Sequence, residues 1–474
     1  MAPDNGNKKI YFMGIGGIAM GSLATMLKES GYEVTGSDQG LYPPMSLHLE
    51  ALKVPVHIGY KAENVTASAP DMVVVGNVIR RDNPEARYVL ESGIPYVSMP
   101  QAISRFFLES RKSIVIAGTH GKSTTSSLLA WILAHAGLEP TAFIGAFLKN
   151  WDRSHRLGSG KFMVLEGDEY DTAFFDKGPK FLHYRPHIGV ITSIEFDHAD
   201  IFKDLDAVLN AFRQFARLIP EDGFLVLNAD DAHCMSMAKE CRGTVLTYGF
   251  GPAAQWRLTD AEFRSGEVEL EYESPGAGPN KMISRLPGRH NLSNLLGILA
   301  VASLVGLTPE AVQAALLAFK GVKRRQDVIG EARGVIVMDD FAHHPTAVRE
   351  TIAALRLFYP DRRLIAAFEP RTNSSRRNVF EDEYARAFDG ADRICIKQPP
   401  DMQKIPEAER LDVGRLVERI AGRGKDAILF DSAETLMGEL VRSCRSGDLV
   451  LCMSNGSFDG LPQKLFKALG ENAA

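Results

Sequence analysis

Ile114-Val115-Ile116-Ala117-Gly118-Thr119-His120-Gly121-Lys122-Ser123-Thr124, followed by Leu128-Leu129 and Ile132-Leu133, reads as a strand, a Gly-Lys-Ser loop and a helix. In that order the three pieces make a phosphate cradle. Glycines let successive backbone N–H groups converge on phosphate oxygens, and the helix N-terminus adds partial positive charge. Lys122 would then reach the β- and γ-phosphates, and the Ser123 hydroxyl would face Mg²⁺. One position departs from the usual spacing: Ile116 stands five residues before Gly121, where a glycine is expected. A bare Gly-Lys-Ser is common by chance. The strand-to-helix context separates this one from an ordinary βα turn and points to a nucleotide, by default ATP.

Around this core, 474 residues are too many for one hydrophobic core and suit roughly three domains of about 150 residues. Hydrophobic residues make up 45% and charged residues 24%, which places the chain among soluble globular proteins. The net charge of −5 supplies no global basic field to recruit nucleic acid or an anionic membrane. No apolar run approaches the roughly 20 residues that span a bilayer, and the polar start, Met1 to Lys9, lacks the apolar core of a signal peptide. Five scattered cysteines without a C-x-x-C pair argue against disulfides and thiolate zinc, and fit a reducing cytoplasm.

Upstream, the strand candidate Lys9–Met13 runs into Gly14-Ile15-Gly16-Gly17-Ile18-Ala19, then a helical pattern and a second strand ending at Asp38. This is a Rossmann-type βαβ start. The glycine run suits a diphosphate at a helix N-terminus, so NAD and a UDP-linked substrate are both open, with Asp38 placed to meet a ribose hydroxyl. A tight turn without a ligand is the competing reading.

Downstream, two apolar runs end in acids: Phe162–Leu165 before Glu166, and Ile188–Ile194 before Glu195-Phe196-Asp197-His198. In an open parallel sheet both ends face the P-loop edge. Glu166 suits an Mg²⁺ shell opposite Ser123, and His198 is a second candidate ligand, although Mg²⁺ prefers oxygen. Asp168, Glu169, Asp171 and Asp200 read as solvated loop charges. The polar stretch Gly249 to Asn280 reads as a β excursion or edge hairpin. Farther on, Arg325 suits a transferring phosphoryl group, and Asp340 a ribose or an Mg²⁺-bound water. Adjacent His343 and His344 project differently, and Pro345 suits a helix start, so a zinc pair is disfavoured. The loop from Arg371 to Arg377 suits a carboxylate, with a plain surface loop as its rival. The expected fold class is α/β in three domains: Rossmann-like over 1–108, a central P-loop ATPase domain over 109–321, and a doubly wound C-terminal domain over 322–474.

Gly14-Ile-Gly-Gly-Ile-Ala, Gly118-Thr-His-Gly-Lys-Ser-Thr, Glu166, Glu195-Phe-Asp-His198, Asn228-Ala-Asp-Asp, Gly288-Arg-His-Asn291 and Asp339-Asp-Phe-Ala-His-His-Pro-Thr346 follow one another here as they do in the Mur ligase family. The chain resembles that family over nearly its whole length. Leu165–Lys177, Phe181–Pro186 and Glu369–Ser375 resemble the members that join a murein tripeptide, L-alanyl-γ-D-glutamyl-meso-diaminopimelate, to UDP-N-acetylmuramate. The resemblance implies UDP-sugar, ATP and peptide domains in that order, with ATP and Mg²⁺ as cofactors. It assigns ATP phosphates to Gly118, Thr119, His120, Gly121, Lys122, Ser123 and Thr124, and adenine to His290, Asn291 and Asn294. Mg²⁺ goes to Ser123, Glu166 and His198, and Arg325 and Asp340 reach the ATP from the third domain. Lys122, His198 and Arg325 carry the catalytic roles. Gly14, Gly16 and Gly17, with Asp38 nearby, meet the UDP diphosphate; Arg371, Asn373 and Ser374 meet the peptide carboxylates. Phe212-Arg213-Gln214-Phe215 stands where several members carry a carbamylated lysine, so no carbamate bridge is expected. A ligase taking free L-alanine as the amine is the nearest rival. An NAD-dependent oxidoreductase and a non-catalytic ATP switch are the remote ones.

Overall fold

Ile10, Tyr11, Phe12 and Met13 are all buried, so the Lys9–Met13 strand is covered on both faces, as parallel strands are. The computed structural model describes residues 8–199, 201–264 and 266–471. Its first sheet runs Val56–Ile58, Glu33–Asp38, Lys9–Met13, Met72–Val75, Tyr96–Ser98, with every pair parallel. The order reverses between Lys9–Met13 and Met72–Val75, where a doubly wound sheet opens a crevice for a ligand. Gly14 leaves the sheet at that point.

The second sheet places the P-loop strand Lys112–Ala117 between Phe162–Gly167 and Pro186–Ile191, parallel to both. Phe224–Asn228 extends it on one side, Thr141–Leu148 and Arg153–Arg156 on the other. Ile114 to Ala117 are fully buried. The register sets Ile116 beside Glu166, which brings that carboxylate to the strand end feeding the loop. Ser22 and Ser154 (2.6 Å), Thr25 and His155 (3.2 Å), and Glu29 and Arg153 (2.5 Å) fasten the Ile18–Glu29 helix to the Arg153–Arg156 strand.

By compactness the chain divides into two units. One holds the chain to Ile194 with Val208–Thr247 and Ala300–Val312; the other holds Glu195–Ala207, Tyr248–Leu299 and Gln313–Ala474. In the second unit the polar stretch forms a three-stranded antiparallel meander, Trp256–Arg264, Glu267–Ser274 and Ala277–Ser284. Val268, Leu270 and Tyr272 alternate inward along its middle strand.

The C-terminal sheet runs Asp327–Ala332, Val335–Asp340, Asp448–Met453, Arg363–Phe368, Arg393–Lys397, Asp426–Phe430. Only its first pair is antiparallel. Alternation along these strands feeds two cores. Ile336, Met338, Leu449, Leu451 and Phe368 pack with Val348, Ile352, Tyr384 and Leu416 from helices on one face. Val335, Val337, Val450 and Ile365 pack with Leu436, Leu440 and Leu465 on the other. That is a doubly wound domain, as expected.

No helix among the described residues is long and apolar enough to cross a membrane. All five cysteines are free thiols. Residues 1–7 and Asp200 lie outside the described residues.

Candidate nucleotide and substrate sites

Gly118 turns the chain out of the P-loop strand at φ +134, and a Cβ there would sit 2.1 Å from Thr192 Oγ1. Only glycine fits that close approach. Ser193 then holds the loop through its carbonyl, which accepts Thr119 N–H (2.8 Å), and its hydroxyl, which accepts His120 N–H (3.1 Å). Gly121 caps the Lys122–His135 helix, whose first-turn N–H groups open onto the loop with half-buried Thr124 beside them.

Lys122 and Ser123 meet carboxylates there. Ser123 Oγ donates to Glu166 Oε1 at 2.9 Å, while Gly145 N–H donates to Glu166 Oε2 at 2.8 Å. A hydroxyl beside a carboxylate is a hard-oxygen pair of the kind Mg²⁺ takes, so these two residues fit that ion. Lys122 Nζ folds back to Gly118 O (2.5 Å) and to both oxygens of Glu169 (2.8 and 3.2 Å). Burial disfavours the Lys122 charge, but Glu169, Asp168 and Glu166 outweigh it and hold its pKa above the ordinary lysine value.

Glu169 is the correction to the sequence reading. It is 2% exposed and paired with the P-loop lysine, where a solvated loop charge was expected. Nothing local in Asp168-Glu169-Tyr170-Asp171 marks it; the signal lies in a fold-back across 47 residues. Asp168 pairs with Lys180, and Asp171 with the exposed Lys177.

At the first sheet's crevice Gly14 takes φ +81, and Asp38 Oδ2 accepts the Gly16 N–H at 2.8 Å. A Cβ on Gly16 would lie 3.0 Å from that carboxylate. Gly17 is the N-cap of the Ile18–Glu29 helix. Asp38 therefore braces the glycine loop directly.

In the second unit Arg325 lies between two residues in left-handed backbone, Arg324 (φ +61) and Gln326 (φ +46). Such strain in non-glycine residues gathers where a side chain must be aimed. Asp340, fully enclosed, fixes the turn: one oxygen accepts Gln326 N–H (2.6 Å), the other Ala342 N–H (2.7 Å). Burial pushes the Asp340 pKa up, against Arg325 and those amides. Burial likewise lifts Asp339 to about 6, although Arg324 stands 3.5 Å away. The Arg324 guanidinium donates to Ser454 O and Gly456 O, which ties it to the loop after the Asp448–Met453 strand. Both guanidinium groups stack on Phe341. Asn291 and Asn294 are buried at the start of the Arg289–Leu304 helix, and His290, half-buried, immediately precedes Asn291.

His198, also at φ +55, belongs to this second unit, whereas Ser123 and Glu166 share the first. Its backbone N–H donates to Asp197 Oδ1 (2.6 Å). Burial opposes the Asp197 charge, yet His198, His343 and His344 together bring its pKa down to about 2. His344 caps the Pro345–Phe358 helix through Nδ1, which accepts the Thr346 N–H at 3.3 Å. In the Arg371 loop Asn373 Oδ1 accepts from Arg376, and Ser374 Oγ accepts the Ala199 N–H at 3.4 Å. Ser374, Ser375 and Arg376 are buried, so this is not a plain surface loop. Beneath it Glu369, wholly buried, accepts from Lys397 (2.7 Å) and Ser454 (2.6 Å), with Arg371 at 3.6 Å.

Three family descriptions match consecutive stretches: the Mur ligase family catalytic domain at 9–111, the Mur ligase middle domain at 116–302, and the Mur ligase glutamate ligase domain at 324–456. The UDP-N-acetylmuramate–L-alanyl-γ-D-glutamyl-meso-2,6-diaminoheptandioate ligase of Escherichia coli K12 is 38% identical, with 98% of this chain and 99% of that one covered. A UDP-N-acetylmuramate–L-alanine ligase of Caldanaerobacter subterraneus is 34% identical, with 97% of each covered. A murein peptide ligase crystallised from Psychrobacter arcticus 273-4 superimposes with a TM-score of 0.73 at 32% identity, covering 98% of this chain and 99% of that one. With the P-loop, its carboxylates and three α/β sheets in the same succession, the chain belongs to the Mur ligase family, the ATP-dependent ligases that form amide bonds.

Proposed function

We propose that this ligase joins L-alanyl-γ-D-glutamyl-meso-diaminopimelate to UDP-N-acetylmuramate, with ADP and phosphate as the other products, in the reuse of old cell-wall peptide. The observation that carries the chemistry is the cluster of Lys122, Ser123 and Glu166 at the P-loop strand end. The choice of peptide is supported by the 38% identity to the tripeptide ligase along 98% of the chain.

A carboxylate does not acylate an amine at neutral pH, because its oxygen is not a leaving group. In our reading the lactyl carboxylate of the sugar attacks the γ-phosphorus of ATP in line; the P–O bond to ADP breaks and an acyl phosphate forms. The neutral amine of the peptide's L-alanine then attacks that carbonyl. The C–O bond to phosphate breaks, the amine proton is lost, and the amide remains. Lys122 and Arg325 neutralise charge spread over the transferring group, the main source of catalysis in phosphoryl transfer. Ser123 and Glu166 are the residues that would hold Mg²⁺, which when bound neutralises phosphate charge, and His198 is proposed as their companion. Gly118 to Thr124 cradle the phosphates, while Asn291, Asn294 and His290 take the base and Asp340 fixes the Arg325 turn. Gly14, Gly16, Gly17 and Asp38 serve the UDP sugar; Arg371, Asn373 and Ser374 serve the peptide. This use follows a division into sugar, ATP and peptide domains at 1–108, 109–321 and 322–474. Free thiols suit a cytoplasmic enzyme.

The rival amine is free L-alanine, favoured by the 34% identity to an L-alanine ligase. An NAD-dependent oxidoreductase, which the glycine run alone allowed, falls with the family assignment. ADP release measured with UDP-N-acetylmuramate and tripeptide, tetrapeptide or L-alanine decides between amines. Turnover with the tripeptide at least tenfold above L-alanine is the expected result; the reverse order overturns the peptide assignment.

A further inference from the structure

One part-buried hydrogen-bond chain in the second unit ends on an enclosed donor that has no partner among the described residues. It starts at the Pro287 carbonyl, which has no proton to give, so the Asn291 amide must present Nδ2 to it, at 2.7 Å. The other hydrogen of Nδ2 goes to Gln326 Oε1 at 3.1 Å. Turning over either amide would set oxygen against oxygen or N–H against N–H. The order of the chain is therefore dictated from Pro287 outward, and Gln326 Nε2 is left at its end. That nitrogen is enclosed and has no hydrogen-bond partner among the described residues. Its position is not accidental slack. The Gln326 backbone is pinned in left-handed conformation (φ +46) by the Asp340 carboxylate, directly after Arg325.

Buried donors in native proteins are nearly always satisfied, and each exception calls for an explanation; beside residues read as the base site, a ligand atom is the one that fits Gln326. A neutral amide N–H suits a neutral ring nitrogen in the plane of a base, of which adenine has several; charged phosphate oxygens call for Lys122 and Arg325 instead. We propose that Gln326, through Nε2, donates a hydrogen bond to a ring nitrogen of the ATP base and so selects and orients it. This rests on the reading of Asn291 and Asn294 as base-site residues.

The test measures ATP binding to the full chain by equilibrium titration, with steady-state kinetics alongside. Gln326→Leu should raise the ATP dissociation constant and KM about tenfold, with kcat at saturating ATP and the KM of the UDP sugar within about twofold. Gln326→Glu keeps the acceptor for Asn291 but replaces the donor, so it should bind ATP at least as weakly as Leu; a purely structural role would spare it. Independently of folding, one of 1-, 3- or 7-deaza-ATP should bind the unaltered chain about tenfold more weakly than ATP. That same analogue should bind Gln326→Leu as ATP does. Equal deaza penalties in the two proteins, or ATP affinity unchanged by Gln326→Leu, overturn the proposal. If Asn291→Ala still weakens ATP in that event, only the role of Gln326 is lost. If it too has no effect, the base-site reading falls with it.

Discussion

The turns at Gly14–Gly17 and Gly118–Thr124 both leave a buried parallel strand and enter a helix, Ile18–Glu29 in one case and Lys122–His135 in the other. The backbone device is shared; the side chains that follow are not. After the first turn come Ile18, Ala19 and Met20, with neither charge nor hydroxyl, and the carboxylate at hand, Asp38, is spent on the loop's own amide. After the second come Lys122, Ser123 and Thr124, and the next strand adds Glu166. A glycine turn makes a place for an anion. In the proposed reaction the first helical turn decides whether that place only holds it or also lets it react.

The comparison breaks if chemistry survives without the second turn's lysine. Lys122→Ala should cut ADP release about a thousandfold while the UDP sugar binds as before; turnover near the original level would refute the assignment. Glu169→Gln sharpens the same loop. It removes the charge paired with the part-buried Lys122 and leaves only Asp168 and Glu166 to offset it, which should cost about 2 kcal/mol of stability in the nucleotide-free protein, read from its unfolding. ATP supplies a replacement anion, so saturating nucleotide should stabilise this variant more than the original chain. Gly118→Ala forces a Cβ against Thr192 at positive φ, and should cost about 2 kcal/mol with a lower melting temperature. Smallest in effect is Asp38→Ala, which loosens the first turn: the KM of the UDP sugar should rise about tenfold with kcat and the KM of ATP unchanged. A fall in kcat instead would mean that this turn, too, takes part in the reaction.

Each strand that ends at a site was legible because it is a short apolar run closed by glycine or acid: Ile114–Ala117, Phe162–Leu165, Lys9–Met13. Ser123 and Glu166 could be paired from the sequence, since two neighbouring parallel strands must deliver their ends to one edge. Asp327–Ala332 was not foreseen, because an edge strand with Val328 exposed carries no apolar run. Glu169 was missed for a different reason. Its neighbours are acids in a polar loop, and burial comes from a lysine far back in the chain. The strained turn around Arg325 was equally silent: left-handed Arg324 and Gln326 have no glycine to announce them.

The central claim is that the P-loop hands the terminal phosphoryl group of ATP to the sugar's carboxylate, and an isotope follows that transfer directly. UDP-N-acetylmuramate labelled with ¹⁸O in its lactyl carboxylate is incubated with ATP, Mg²⁺ and the tripeptide, and the released phosphate is weighed by mass spectrometry. One ¹⁸O per phosphate, matched to each amide formed, is the predicted result. Unlabelled phosphate alongside amide formation would contradict it.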